Sequence, residues 1–197
     1  MPPLFLDNAG YFVVFTVAYA IWALPEILGS FTQRSKAGAS KRDRGSQVVL
    51  LLTLYAGMFA GFWLAFRLQG AAIVWARPLV FGAGIALMLL GVGLRWYAIR
   101  VLGRYFTRDV AVSTGQTVVQ TGPYRFIRHP AYSGSLLTVL GLGLALGNWA
   151  SLAAILAGAI AGYTYRVSVE ERALREALGQ PYLDYMRRTR RFIPFIF

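Results

Sequence analysis

Long apolar runs, separated by short polar and basic connections, form the dominant pattern along this chain of 197 residues. A helix that crosses a bilayer needs about 20 mostly apolar residues, and the runs supply enough of them for five such helices. The predicted spans lie at about 11–28, 47–66, 78–99, 132–147 and 150–166. Gly147 and Asn148 separate the last two, since both residue types favour the end of a helix. The pattern therefore predicts an all-α polytopic membrane protein with an amphipathic C-terminal tail over 167–197.

One continuous domain over 1–197 is predicted, because no linker rich in Ser, Pro and Gly separates two folding units. Pro25 and Glu26 interrupt the first apolar run near its end. That run has no basic segment before it and no small-residue cleavage site after it. We therefore interpret it as a retained span and not as a signal peptide.

The composition indicates lipid surroundings and narrows the possible chemistry. Hydrophobic residues make up 57% of the chain and charged residues only 14%, whereas about a quarter of the residues in a soluble domain are charged. No cysteine is present, which excludes disulfides, thiolate metal sites and a cysteine nucleophile. The single histidine excludes a multi-histidine metal centre, so no metal site is predicted.

The basic residues are distributed unevenly among the connections. Of the 20 Lys and Arg residues, only Arg67 and Arg77 lie between the second and third spans, and the N-terminal segment and the turn at 146–151 have none. All the others lie in the loop at 29–46, in the region 95–128 or after the fifth span. Because cytoplasmic connections carry an excess of Lys and Arg, the pattern predicts an N-terminus outside and a C-terminus in the cytoplasm.

The net charge of +12 predicts anionic lipids as partners. The cations sit beside apolar segments and not on a polar domain, so lipid headgroups explain them better than nucleic acid does. In a bacterium the membrane would be the cell (inner) membrane. The sequence leaves the role of the basic loop at 29–46 open.

A polar island, "GPYRFIRHPAY", precedes the fourth span. Pro130 suits the first turn of a helix, because it lacks an N–H and its φ angle is already helical. The N–H groups of Ala131 and Tyr132 would then face the cytoplasm, where a helix N-terminus attracts a carboxylate or phosphate. Alternatively, Arg128 and His129 only anchor a helix end among the headgroups.

A second polar cluster lies where the fifth span ends. Arg166 and Glu170 are four residues apart and so share one helix face, and ionisable groups at membrane depth are usually functional. The alternative is a salt-bridged helix end at the interface, because Glu171 and Arg175 repeat the same spacing. The next apolar residues indicate an amphipathic stretch; they are Leu174, Leu178, Tyr182 and Tyr185.

Two further patterns have simpler interpretations. The terminal run "RRTRRFIPFIF" alternates cations with aromatics, as interfacial anchors do. The "GVG" at 91–93 predicts a site of close packing between helices, since it lacks the strand–turn–helix setting of a dinucleotide site.

Together, "TGPYRFIRHPAYSG" and "RVSVEERALREALGQPYLDYMRRTRRFIP" resemble the integral-membrane methyltransferases typified by isoprenylcysteine carboxyl methyltransferase, a superfamily that includes phospholipid N-methyltransferases. The resemblance covers about 100–197. It implies that S-adenosylmethionine binds in a cytoplasm-facing pocket formed by the 100–130 segment, the last two spans and the C-terminal tail. The implied cofactor contacts are Gln116, Thr117, Val118, Val119, Tyr124, His129, Pro130, Ala131, Tyr132 and Glu170.

The same resemblance assigns Arg166 to the substrate, where it would bind an acceptor carboxylate. Gln116 stands where members of the superfamily have His, and a further polar contact near Asp109 to Ala111 is not placed. The implied acceptor is lipophilic, enters from the bilayer and is best matched by the carboxylate of an isoprenylcysteine. In a bacterium the acceptor could be another lipid or a small acid.

The implied reaction suits a site with few catalytic groups. A carboxylate acceptor is already ionised at neutral pH, so neither an acid nor a base is required, and the Arg166 guanidinium presents a planar fork of donors to it. The start of the fourth span would receive the methionyl carboxylate of the cofactor, and Glu170 its ammonium or a ribose hydroxyl. Tyr124 and Tyr132 offer ring faces to the adenine or the sulfonium.

Three alternatives stay open at this point. An amino-lipid acceptor would need a base, for which His129 or Glu170 are candidates. NADPH-dependent sterol reductases look similar around a His-Pro segment but are much longer. A non-catalytic protein would use its Arg clusters only to bind anionic lipid.

Overall fold

The computed structural model describes residues 1–32, 40–41, 43, 45–107, 111–112 and 115–192. Several residues used in the charge pattern lie outside these ranges, as does part of the unplaced polar contact: Arg34, Lys36, Arg42, Arg44, Arg108 and Asp109.

Six α-helices account for most of the described residues. They are α1 (Ala9–Thr32), α2 (Ser46–Arg67), α3 (Arg77–Leu102), α4 (Pro130–Ala145), α5 (Trp149–Leu178) and α6 (Gln180–Arg188). Short 3-10 turns lie at Leu4–Leu6, Gln69–Ala71, Gly103–Tyr105 and Gly122–Arg125. Two-residue strands, β1 (Ser40–Lys41) and β2 (Ala111–Val112), pair antiparallel. The predicted all-α polytopic architecture is confirmed.

Helices α1, α2, α3 and α5 are each long and apolar enough to cross a membrane. Helix α4 has 16 residues and spans about 24 Å, less than the ~30 Å hydrocarbon core of a bilayer. It is also the most buried of the long helices, because it packs between α3 and α5. Because α4 is buried, little of its backbone faces lipid despite its short length. With four further helices long enough to cross a bilayer, the chain is an integral, multi-pass membrane protein.

Two predicted helix ends differ from the structure. Helix α1 ends at Thr32, beyond the predicted end at 28. It runs through Pro25, as the predicted span did, and transmembrane helices tolerate proline because neighbouring groups satisfy the freed backbone. Helix α5 continues past the predicted end at 166, because the following residues include strong helix formers such as Ala, Leu, Glu and Arg. It ends before Gly179, whose φ of 59° suits glycine. The first part of the predicted tail is therefore a continuation of α5.

Small residues bring the helices close together. A Cβ atom on Gly91 would lie 2.5 Å from the carbonyl oxygen of Gly134 on α4, whereas one on Gly93 would meet nothing within 4 Å. The predicted packing role of "GVG" is thus confirmed for Gly91 and wrong for Gly93. Helices α2 and α5 meet similarly, since a Cβ on Gly57 would lie 3.1 Å from Cα of Gly158.

Different connections between the helices lie at the two ends of the bundle. At one end Asn148 caps α5 by accepting from the Ser151 N–H, and its amide donates to the Leu68 carbonyl. Arg77 donates to the Pro2 carbonyl at the same end. The connection between α3 and α4 lies at the other end, together with α6. This separation matches the two groups of connections in the charge pattern, whose orientation in the membrane stays a prediction.

Candidate active site

The polar island forms the start of α4, as predicted. Pro130 is the first residue of the helix, and His129 precedes it in a non-helical conformation. The Tyr132 N–H is not free, however, because it donates to the His129 carbonyl at 3.0 Å. The prediction of two exposed N–H groups is therefore wrong for Tyr132, since the first turn of α4 closes by a tighter, 3-10-type bond.

A cavity opens beside this helix start and contains about 860 Å³ of space, including the part open to solvent. Nine of the ten predicted cofactor residues line it: Gln116, Thr117, Val118, Val119, Tyr124, His129, Ala131, Tyr132 and Glu170. Pro130 is fully buried and does not line it. The structure brings this set together, and its role in binding stays a prediction.

The amphipathic stretch supplies another wall of the cavity. Its lining residues are Leu174, Leu178, Tyr182 and Tyr185. Tyr182 and Tyr185 are buried, while Arg187 and Arg188 on the same helix α6 are exposed. The stretch is amphipathic as predicted, and its apolar side faces the cavity.

Burial shifts the ionisation of the phenols in the cavity wall to higher pH. It raises the pKa of Tyr124, with Glu170 contributing through its negative charge. It also raises the pKa of Tyr182 and of Tyr185. Each of these side chains is therefore a neutral hydroxyl group at physiological pH and offers the cavity an uncharged aromatic surface.

Tyr132 joins the cavity to the polar end of α5. Its hydroxyl donates to Glu170 Oε2 at 2.7 Å and accepts from Arg166 Nε at 3.4 Å. Its ring stacks on that of His129, with centroids 5.6 Å apart and planes at 11°. Arg166 and Glu170 thus share a helix face that meets the start of α4, as their spacing predicted.

Arg166 does not line the cavity and is only 2% exposed. Its Nη1 donates to the Asp43 carboxylate and, at 2.8 Å, to Ser46 Oγ at the start of α2. The assignment of Arg166 to an acceptor carboxylate therefore stays a prediction. In this structure the Arg166 guanidinium pairs with the carboxylate of Asp43. Sequence reasoning did not identify Asp43, which lies 123 residues away along the chain.

Glu171 is a second residue that the sequence reasoning did not identify as central. Its side chain is 1% exposed, and Oε1 accepts from Arg128 Nε at 2.9 Å and lies 3.3 Å from His129 Nε2. Its Oε2 accepts from Arg191 Nη2 at 2.9 Å. Arg175, its predicted partner, donates instead to the Glu171 backbone carbonyl at 3.2 Å. The carboxylate therefore connects α5 to the start of α4 and to the C-terminal segment.

The C-terminal segment is held against the polar island by its backbone. The Arg128 N–H donates to the Arg190 carbonyl at 2.7 Å, and the His129 N–H donates to the Arg191 carbonyl at 3.0 Å. The interpretation of the run 187–197 as interfacial anchors stays a prediction, and the structure adds that the backbone of Arg190 and Arg191 binds the polar island. Residues 193–197 lie outside the described part of the chain.

A further ion pair joins α3 to α1. Arg95 on α3 donates from Nε to Glu26 Oε1 at 2.5 Å and from Nη2 to Glu26 Oε2 at 3.1 Å. Its Nη1 donates to the Ala131 carbonyl at 3.4 Å. The carboxylate that interrupts the first apolar run is thus paired inside the bundle.

Comparison with known proteins identifies the family. A model described as phospholipid methyltransferase matches residues 79–181, which is more than half of the chain. The chain belongs to the phospholipid methyltransferase family. The match contains every predicted site residue, whereas Glu26 and Asp43 lie outside it. The resemblance inferred from the two quoted motifs is confirmed.

Several curated proteins are similar to this family member. Protein-S-isoprenylcysteine O-methyltransferase B of Arabidopsis thaliana is 31% identical over 115 residues, covering 57% of this chain and 58% of that protein. The protein-S-isoprenylcysteine O-methyltransferase of Saccharomyces cerevisiae is 31% identical over 115 residues, covering 57% and 48%. The cobalt-zinc-cadmium resistance protein CzcN of Cupriavidus metallidurans is 35% identical over 122 residues, covering 61% and 51%. The chain thus spans about half the length of these relatives.

Proposed function

We propose that this protein transfers a methyl group from S-adenosylmethionine to a lipophilic acceptor, the carboxylate of an isoprenylcysteine-like molecule. Family membership and the names of the similar proteins support methyl transfer. The observation that carries the proposal is the position of the Tyr132 hydroxyl. It lies between Glu170, on the cavity wall, and Arg166, which is the candidate group for the acceptor.

The cavity residues offer groups that suit each part of the proposed cofactor. S-adenosylmethionine supplies an electrophilic methyl group on a sulfonium when it is bound. The start of α4 at Ala131 suits a carboxylate, and Glu170 is the carboxylate available to an ammonium or a ribose hydroxyl. The rings of Tyr124 and Tyr132 offer their faces to an adenine or to a positive charge.

The acceptor side requires orientation more than acid–base chemistry. In the proposed step a carboxylate oxygen forms a bond to the methyl carbon while the bond from that carbon to sulfur breaks, and no proton moves. A carboxylate is ionised at neutral pH, so no base is needed. Arg166 would orient it through a guanidinium that keeps its charge, and exclusion of water by the surrounding helices would favour the reaction.

The proposed orientation places the cavity at the cytoplasmic face, with the N-terminus outside. The lipophilic acceptor would enter from the bilayer, and the basic residues at the cavity end would bind anionic lipids and not nucleic acid. In a bacterium this would be the cell membrane.

An amino-lipid headgroup is the second candidate acceptor, and the description of the matching family model favours it. It would need a base, and both candidates are already engaged by other residues. Glu170 accepts from Tyr132 at 2.7 Å, and His129 Nε2 lies 3.3 Å from Glu171. The carboxylate acceptor makes no such demand and is therefore the first choice.

Purified protein supplied with radiolabelled methyl donor tests the two acceptors side by side. We expect label in N-acetyl-S-farnesylcysteine and not in phosphatidylethanolamine vesicles. Arg166→Lys should lose most of that activity, because an ammonium cannot present the guanidinium fork. Label in the amino lipid alone would favour the second candidate, and NADPH oxidation without any methyl transfer would contradict both.

A further inference from the structure

The ion pair between Asp43 and Arg166 joins a part of the chain that the family model matches to a part that it does not match. Arg166 lies within the matched residues 79–181, whereas Asp43 lies in the N-terminal part that the family model does not match. Asp43 Oδ1 accepts from Arg166 Nη1 and, at 2.9 Å, from Ser46 Oγ. Asp43 Oδ2 accepts from the Gln47 N–H at 3.2 Å. The start of α2 thus presents a carboxylate to the guanidinium proposed to bind the acceptor.

The two partners differ in their access to solvent. The Arg166 side chain is 2% exposed and the Asp43 side chain 21% exposed. Arg166 is also held by Tyr132 and Ser46. Asp43 is therefore the partner that can turn toward solvent, with loss of its own contacts to Ser46 and Gln47, whereas Arg166 cannot follow it without breaking contacts inside the bundle.

We propose that Asp43 is an internal substitute for the acceptor carboxylate, which the acceptor displaces from Arg166 when it binds. The inference rests on the proposed function. Two carboxylates at one guanidinium nitrogen repel each other, so an acceptor carboxylate and Asp43 compete for Arg166. Exchange of one carboxylate for the other leaves the buried arginine paired throughout. An acceptor with a neutral or cationic headgroup offers no such exchange, and Asp43 thereby selects for an anionic one.

This role predicts a specific kinetic change on loss of the charge at residue 43. Asp43→Asn keeps the shape of the side chain but weakens the competitor. We expect the KM for N-acetyl-S-farnesylcysteine to fall about fivefold or more, because the fraction of protein with an available Arg166 rises. The affinity for S-adenosylhomocysteine should stay unchanged, because Asp43 is not among the residues that line the cavity.

A matched control comes from the other buried arginine paired with the N-terminal region. Glu26→Gln removes the charge beside Arg95 and should lower the melting temperature without lowering the acceptor KM. Asp43→Ala serves as a second variant, and it should lower the acceptor KM as Asp43→Asn does.

The outcomes separate this inference from the proposed function. If the wild type methylates the carboxylate but the acceptor KM is unchanged or raised in both Asp43 variants, the inference alone is overturned, and Asp43 is only a structural partner of Arg166 at the start of α2. A wild-type protein that binds S-adenosylhomocysteine but methylates no carboxylate would overturn the proposed acceptor and the inference together.

Discussion

Loss of the negative charge on Glu171 should destabilise the fold. Glu171→Gln keeps the size of the side chain but removes the charge that pairs with Arg128 and contacts His129. Removal of one partner from a buried ion pair costs about 3–5 kcal/mol. The pair with Arg191 adds little, because that arginine is 44% exposed and exposed pairs are worth ~0–1 kcal/mol. The lower end of the range, about 3 kcal/mol, is therefore the expected loss.

A loss of that size is measurable in detergent. At about 2–4 °C per kcal/mol for a chain of this length, the melting temperature of Glu171→Gln should fall by roughly 6–12 °C. The affinity for S-adenosylhomocysteine should fall as well, since Arg128 and His129 line the cavity. Glu176→Gln is the matched control, because Glu176 is exposed on the same helix and exposed substitutions change stability by about 0.5 kcal/mol or less. Equal melting temperatures for the two variants would refute the reasoning.

Three further predictions concern helix packing, the cavity hydroxyl and pH. Gly91→Ala should lower the melting temperature, because its Cβ would lie 2.5 Å from atoms of α4. Gly93→Ala should leave the melting temperature unchanged, because a Cβ there meets nothing within 4 Å. Thermal unfolding of both variants tests this difference. Tyr132→Phe should lower kcat/KM about tenfold or more in steady-state assays, because it removes a hydrogen bond of 2.7 Å to a carboxylate; an unchanged value would exclude a role for that hydroxyl. Burial raises the pKa of Tyr185, so the stability it contributes is present below about pH 10 and lost progressively above it. The fall in melting temperature above that pH should be shallower in Tyr185→Phe.

Local rules predicted the elements of this fold well. Pro130 begins α4 because proline suits the first turn of a helix, and Gly147 and Asn148 separate α4 from α5 as predicted, with Asn148 acting as the N-cap of α5. The helical spacing of Arg166 and Glu170 placed both on the face that meets α4. Each of these features depends on residues close together in the chain, which is the range over which periodicity and capping act.

The missed features are contacts between residues far apart in the chain. Asp43 and Arg166 are separated by 123 residues, and Glu171 and Arg128 by 43. The spacing of Glu171 and Arg175 predicted a salt bridge at an interfacial helix end, but the Glu171 side chain is buried and its carboxylate pairs with Arg128 instead. For Glu26 a signal was present, since a carboxylate in an apolar run has to find a partner inside the bundle.

The central claim is that the cavity at the start of α4 binds the methyl donor, and calorimetric titration of purified protein with S-adenosylhomocysteine tests it most directly. We expect saturable binding to the wild type and at least about tenfold weaker binding to Glu170→Gln, because hydrogen bonds to charged groups are worth ~1.5–3 kcal/mol. Arg77→Gln, at the opposite end of the bundle, should bind as the wild type does. Absence of binding to the wild type, or equal affinity in all three proteins, would contradict the account.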